Sequence, residues 1–257
     1  MEHNLLINTT SGAGFWLIVT VTFLIAGAVK GISGLGLPTV AVGLLSQVMP
    51  PVQAAALLIV PSLVTNVWQL AAGPGLMALG RRLWPLLAGI CAGTWAAGWL
   101  LAGHTAGPSA SGALGLALMV YALIGLAALK LAVPARLEPV LAPLAGAVTG
   151  ALTALTGVFV IPAVPYLQGL RLDRDALVQA MGLVFTCSTL ALAVNLLCSG
   201  QFHAGAAGSS LLALAPALAG MACGQWIRTR LSVQTFRTVF FSALLLLGAH
   251  LAWRVMA

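Results

Sequence analysis

The 257-residue chain is 61% hydrophobic and only 6% charged, with a mean hydropathy of +1.08, whereas an ordinary globular chain is about a quarter charged. This composition excludes a soluble fold, and with it a disordered chain, a disulfide-stapled secreted domain and a nucleic-acid binder, since the 11 Lys and Arg residues form no basic stripe. The formal net charge of +7 reads instead as an orientation signal, because Lys and Arg are favoured in the cytoplasmic loops of membrane proteins.

A membrane crossing needs about 20 apolar residues, so the charge-free tracts can be cut at their Gly, Pro and polar interruptions. The segment before Phe15 carries Glu2 and neither Lys nor Arg, and apolar tracts continue far beyond it, which predicts no cleavable signal peptide; the placement of the basic loops predicts an N-terminus on the periplasmic side. Residues 15–48 are too long for one helix and short for two full crossings, and are interrupted at Lys30-Gly31-Ile32-Ser33-Gly34-Leu35-Gly36. Full spans are then expected over roughly 52–72, 83–102 and 109–131, with a connection through His104 and a basic loop at Lys130 and Arg136. Residues 140–169 repeat the first anomaly, with an interruption at Thr153-Ala154-Leu155-Thr156-Gly157 followed by Pro162 and Pro165. Three further spans, roughly 176–197, 206–226 and 236–254, complete the chain. The expected architecture is all-α and polytopic, with about eight transmembrane units.

Broken helices at membrane depth are tolerated where their freed backbone groups are buried in protein or line a cavity, so both interrupted segments are expected to be re-entrant hairpins. If each turns back to the side it entered from, Arg81, Arg82, Lys130, Arg136, Arg171, Arg174, Arg228 and Arg230 share one face, as the positive-inside rule asks. Two complete crossings per segment satisfy the rule equally well, and length favours the hairpin. Gly27-Ala28-Val29-Lys30-Gly31-Ile32-Ser33-Gly34 lies over Gly150-Ala151-Leu152-Thr153-Ala154-Leu155-Thr156-Gly157 at a shift of 123, and Gln53 and Gln179 stand in the spans that follow. This internal repeat divides the chain at 1–135 and 136–257 into two halves that are inverted across the membrane, an arrangement of secondary transporters in which substrate sits at the midplane where the breaks meet.

The stretch Gly27-Ala28-Val29-Lys30-Gly31-Ile32-Ser33-Gly34-Leu35-Gly36-Leu37-Pro38, together with Gly150 through Pro162-Ala163-Val164-Pro165-Tyr166-Leu167-Gln168, resembles the TauE/SafE family of sulfite and sulfonate permeases over nearly the whole chain. The resemblance implies a bacterial inner-membrane carrier of small sulfur-containing anions such as sulfite, sulfoacetate or other organosulfonates. This chain departs from the more glycine-rich family pattern at Ala154 and Phe159, so the two breaks are not expected to bind substrate equally.

Lys30 is the outstanding candidate, because no other charge lies between residues 4 and 80 and all four acidic residues fall in termini or loops. A charge at membrane depth is a functional-site hypothesis by default, with an anion as its natural counter-charge; the alternative is a lysine that snorkels to the interface. Ser33, Gly34 and Gly36 on the first break, and Thr153, Thr156 and Gly157 on the second, offer hydroxyls and helix-end N–H groups that an oxyanion can approach closely, or else are helix-packing positions. Asn66, Gln69 and Gln179 are polar residues inside apolar spans; Asn66 and Gln69, three apart, share a face. The alternative is interhelical hydrogen bonding unrelated to substrate. Trp68, Trp84, Trp95, Trp99, Trp226 and Trp253 read as packing or interfacial-belt residues, and Cys91, Cys187, Cys198 and Cys223 as small core residues without paired spacing.

His104, His203 and His250 form no metal-ligand pattern, and no phosphate-binding GxxxxGK[ST] motif is present. The expectation is therefore a secondary carrier or facilitator with no cofactor, whose partners are a small anion and membrane lipid; oligomeric state is left open. An inside-negative potential expels a monovalent anion with about 2.3 kcal/mol per 100 mV, which favours export. A carrier of a different small organic anion and a non-transporting assembly subunit are the alternatives, and an intramembrane enzyme lacks the paired acids or nucleophile and base that it would need at depth.

Overall fold

A computed structural model describes residues 12–71, 73, 75–100, 108–128, 132–202 and 204–256. The described residues form helices α1 (Ala13–Ser33), α2 (Leu37–Leu45), α3 (Pro51–Ala71), α4 (Leu76–Leu100), α5 (Pro108–Ala127), α6 (Glu138–Thr156), α7 (Ala163–Gly169), α8 (Arg174–Cys198), α9 (Ala204–Leu212), α10 (Leu214–Arg228) and α11 (Val233–Met256). Eight helical stretches are long and apolar enough to cross a bilayer: α1, α3, α4, α5, α6, α8, the joined α9 and α10, and α11. The chain is an all-helical, multi-pass membrane protein. Lys130, His104 and His203 lie outside the described residues, as do the N-terminal residues that carry Glu2.

Each interrupted segment consists of a helix of crossing length followed by a short one, 21 and nine residues in the first case and 19 and seven in the second. A re-entrant hairpin of two half-helices would have made the arms similar, so the first arm is longer than the sequence suggests. Helix α4 also begins earlier than expected, at Leu76 rather than near residue 83, because Arg81 and Arg82 interrupt the apolar tract without interrupting the helix. Their side chains reach the exposed surface, where Arg82 makes a bidentate ion pair of 2.7 and 2.9 Å with Glu138 at the start of α6.

Close helix contacts come in matched pairs. Helices α1 and α10 run parallel, with Gly27 and Gly31 against the backbone of Ala217 and Met221, and Gly220 and Gly224 against that of Leu24 and Ala28. Helices α4 and α6 do the same with Gly89 and Gly93 against Pro143 and Ala147, and Gly146 and Gly150 against Leu86 and Ile90. Glycines four apart let backbones approach where lipid supplies no hydrophobic drive to hold helices together. Helices α5 and α11 pack antiparallel through Gly115 and Gly248, and α3 and α8 form an antiparallel pair at the centre.

Helix α3 carries Pro61 in its interior. Proline has no N–H to give the carbonyl four residues back, and a carbonyl stranded inside the membrane must find another donor. Ser210 on α9 supplies it, its Oγ donating to Leu57 O at 2.8 Å and accepting from Val60 N at 2.9 Å. Pro216 similarly marks the join of α9 and α10. The four cysteines divide: Cys91 and Cys187 bring their sulfurs within 3.6 Å across α4 and α8, whereas Cys198 and Cys223 are exposed on the helix surface rather than packed in the core.

The basic connections share one end of the bundle. Arg82 binds Glu138 there, Val133 N donates to Gly169 O at 2.9 Å, and Arg174 and Arg228 flank one cavity. At the other end Arg254 donates to Gln47 O at 2.9 Å, tying the turn after α2 to the end of α11.

A Cβ on Gly31 would lie 2.2 Å from Met221 O. Gly31→Ala is expected to lower the stability of the purified protein by about 1–3 kcal/mol, as overpacking does. Gly208, with nothing within 4 Å of its would-be Cβ, gives a control, Gly208→Ala, that stays within about 0.5 kcal/mol of the parent. Thermal unfolding in detergent checks both.

Candidate functional site

Both breaks are built the same way. Gly34 ends α1 at φ 74° and Gly157 ends α6 at φ 72°, a left-handed conformation that glycine adopts without penalty. Gly34 N donates to Lys30 O at 2.7 Å, and Gly157 N to Thr153 O at 2.8 Å. Just before each glycine a hydroxyl reaches two residues ahead: Ser33 Oγ accepts from Leu35 N at 3.1 Å, and Thr156 Oγ1 from Val158 N at 3.2 Å.

Their surroundings differ. A cavity of about 330 Å³ opens beside the first break, lined by Lys30, Ser33, Gly34 and Leu35 together with Thr65, Trp68 and Gln69 of α3, Arg174 and Met181 of α8, and Arg228 of α10. Its volume corresponds to on the order of ten water molecules, room for a small anion that keeps part of its hydration. Three cations and no carboxylate are found among its described lining residues. The second break is closely packed among the described residues: Gly157 lies against Ala55 and Val42, and Val158, Phe159 and Val160 after it are buried.

Lys30 stands in the last turn of α1, where its positive charge is favoured by the helix dipole, yet it is only 4% exposed. Its Nζ donates to Asn66 Oδ1 on α3. Because an ammonium can only donate, that bond turns the Asn66 amide nitrogen the other way, toward Ser62 Oγ at 3.0 Å and Thr189 Oγ1 at 3.4 Å. Ser62 and Thr189 meet at 3.1 Å, so one polar chain ties α1 to α3 and α3 to α8 behind the cavity. Gln69 donates to Val178 O at 3.0 Å, which leaves its buried Oε1 without a partner.

Of the ten residues singled out from the sequence, the cavity gathers Lys30, Ser33, Gly34 and Gln69, with Asn66 directly behind Lys30. Gly36 lies outside it, at φ 96° against Val29 and Phe240. Gln179 is turned to the connection between α3 and α4, donating to Leu70 O at 2.9 Å and to Gly73 O, and accepting from Gly75 N at 3.0 Å. Thr153 and Thr156 return their hydroxyls to Thr149 O and Leu152 O of their own helix at 2.7 Å. The breaks themselves do not meet at the midplane. Gly34 faces Gln69 and Gly157 faces Ala55, 14 residues apart on α3, which is about 21 Å at 1.5 Å per residue.

The donors at the first break also differ from expectation. Gly34 N and Leu35 N are already bonded within the turn, so the groups free to meet an anion are the side-chain cations rather than the backbone. Arg174 and Arg228, missed as site residues, read in the sequence as loop charges, and only the folding of α8 and α10 around the first break brings them to the cavity that Lys30 lines. Trp68, read as a packing or interfacial-belt residue, is exposed at the cavity edge, and Trp84, Trp95, Trp99, Trp226 and Trp253 lie exposed on the helix surfaces.

The sequence model of the sulfite exporter TauE/SafE family matches residues 19–251. No curated protein and no solved structure matches the chain.

Stranding a buried charged donor costs more than the about 1–3 kcal/mol of a neutral one, whereas replacing both partners by apolar groups is close to neutral. Asn66→Leu is accordingly expected to destabilise strongly, and the double variant Lys30→Met with Asn66→Leu to recover most of the loss. Unfolding of the two variants side by side measures this.

Proposed function

This chain belongs to the sulfite exporter TauE/SafE family, and from that membership and the geometry of the cavity we propose that it carries small sulfur-containing anions, sulfite or an organosulfonate, across a bacterial inner membrane. The observation that carries this reading is Lys30, an ammonium buried at the end of a spanning helix with an amide for its protein partner and a cavity of about 330 Å³ in front of it. An anion entering between Arg174 and Arg228 would meet rising positive potential and find its counter-charge at Lys30. Cation-lined clefts with low-dielectric walls concentrate anions in this way.

In this reading the basic end faces the cytoplasm, the N-terminus is periplasmic, and the cavity is the inward-open state of a carrier that works by alternating access. Residues 1–135 and 136–257 are two inverted repeats. What supports that division is the likeness of the two breaks, the exchange of partners between halves in the α1–α10 and α4–α6 pairs, and their matched glycines. The membrane potential alone drives a monovalent anion outward with about 2.3 kcal/mol per 100 mV, so export needs no coupled ion.

Substrate recognition is assigned to Lys30, with Ser33, Gly34 and Gln69 shaping the inner wall and Asn66 holding the ammonium in place. The same cations would accept a small carboxylate, and that second reading is separated by the same assay. Proteoliposomes are expected to show saturable sulfite flux that falls at least about tenfold in Lys30→Gln, the loss of about 1.4 kcal/mol or more of interaction. Carboxylate flux exceeding that of sulfite would move the substrate class, and sulfite flux unchanged in Lys30→Gln would remove the site.

A further inference from the structure

Beyond Met181 the interior of the bundle is aromatic. On α8, Met181 lines the cavity, Phe185 follows one turn later, and Thr189, bonded to the Asn66 amide, one turn after that. Residues four apart share a helix face, so Phe185 stands on the cavity-lining face about 6 Å further from the Arg174 end than Met181. Its ring is 1% exposed and packs against Phe159, which is 0% exposed, with centroids 5.5 Å apart and planes inclined at 56°.

Phe159 comes from the other break, two residues past Gly157, at the place where the first break has Gly36 under the shift of 123. Val158 and Val160 on either side of it are buried as well. At this place one break therefore has Gly36, packed against Val29 and Phe240 outside the cavity, and the other has a phenyl ring packed against Phe185. The chain reaches from Gly157, level with Ala55 near the far end of α3, to Phe185 in the middle of α8, and so bridges the space between the cavity and the opposite end of the bundle.

We propose that the Phe159–Phe185 pair is the hydrophobic gate that seals the anion cavity from the end of the bundle opposite its basic face, and that release of an anion to that side requires the second break to withdraw Phe159 from Phe185. The inference rests on the anion-carrier reading of the cavity. An apolar constriction blocks ions because a hydrated ion cannot shed its water there, and it stays closed without any charged group of its own. The asymmetry between the two breaks then has a role: the first borders the cavity that holds the ion, and the second closes over it.

The test is chloride conductance of the purified protein in planar bilayers, with sulfite flux measured on the same preparations. The unmodified protein is expected to hold chloride, Phe159→Ala to raise conductance at least about tenfold by opening a wetted path, and Phe159→Leu, which keeps an apolar plug, to stay sealed. Phe185→Ala removes the other ring and decides the matter if Phe159→Ala does not fold. Phe159→Ala or Phe185→Ala, monodisperse and as tight to chloride as the parent, overturns the gate, as does a Phe159→Leu that leaks like the alanine variant. Absence of sulfite flux in the unmodified protein counts against the proposed substrate, and the chloride result still decides the gate.

Discussion

A single ammonium, held in the interior of a membrane protein by an amide and not by a carboxylate, is the constraint around which this structure is organised. Moving a charge out of water is expensive, and an ion pair offsets that expense only with good geometry; Lys30 has Asn66 on one side and a small cavity on the other. The remaining donors of its NH₃⁺ are available to whatever enters. An acidic residue in that place would satisfy Lys30 permanently and would repel an anion, so the scarcity of acids in the chain and the basic lining of the cavity are two aspects of one electrostatic design.

The surrounding packing keeps that charge in place. Helix α1 is held by backbone contact with α10 through paired glycines, which fixes the backbone from which Lys30 projects. Asn66 is held from behind by Ser62 and Thr189, which anchor α3 to α8. Even the proline in α3 is accommodated without leaving a carbonyl unpaired, since Ser210 takes its bond. In the proposed alternating-access carrier, exposing Lys30 to the opposite end would involve the α3–α8 pair or the second break.

Much of this architecture was legible in the sequence because a bilayer makes the relevant signal one-dimensional: tract length and charge placement locate the spans of α3, α5, α8 and α11 to within a few residues. The error at α4 arose because Arg81 and Arg82 end an apolar tract but not a helix. Lys30 and the two Gly-rich interruptions were visible for a similar reason, as departures from uniform apolarity. What the sequence could not show was depth and facing. Gln179 and Asn66 look alike as polar residues in apolar spans, yet one clamps a loop and the other holds Lys30. Likewise Ser33 and Thr156 are equivalent by repeat, but only the folding of α3, α8 and α10 opens space beside one and leaves Val158 and Phe159 packed beside the other. Arg174 and Arg228, at helix ends, carry no local sign that they line the same cavity as Lys30.

The most direct test of this account is to locate a bound anion by anomalous scattering in crystals grown with selenite, a heavier analogue of sulfite. The account predicts a selenium peak inside the cavity, with selenite oxygen about 3 Å from Lys30 Nζ and between the first break and Gln69, and its loss in Lys30→Gln crystals. Selenium found only at the exposed arginines, or a peak unchanged when Lys30 is replaced, would contradict it.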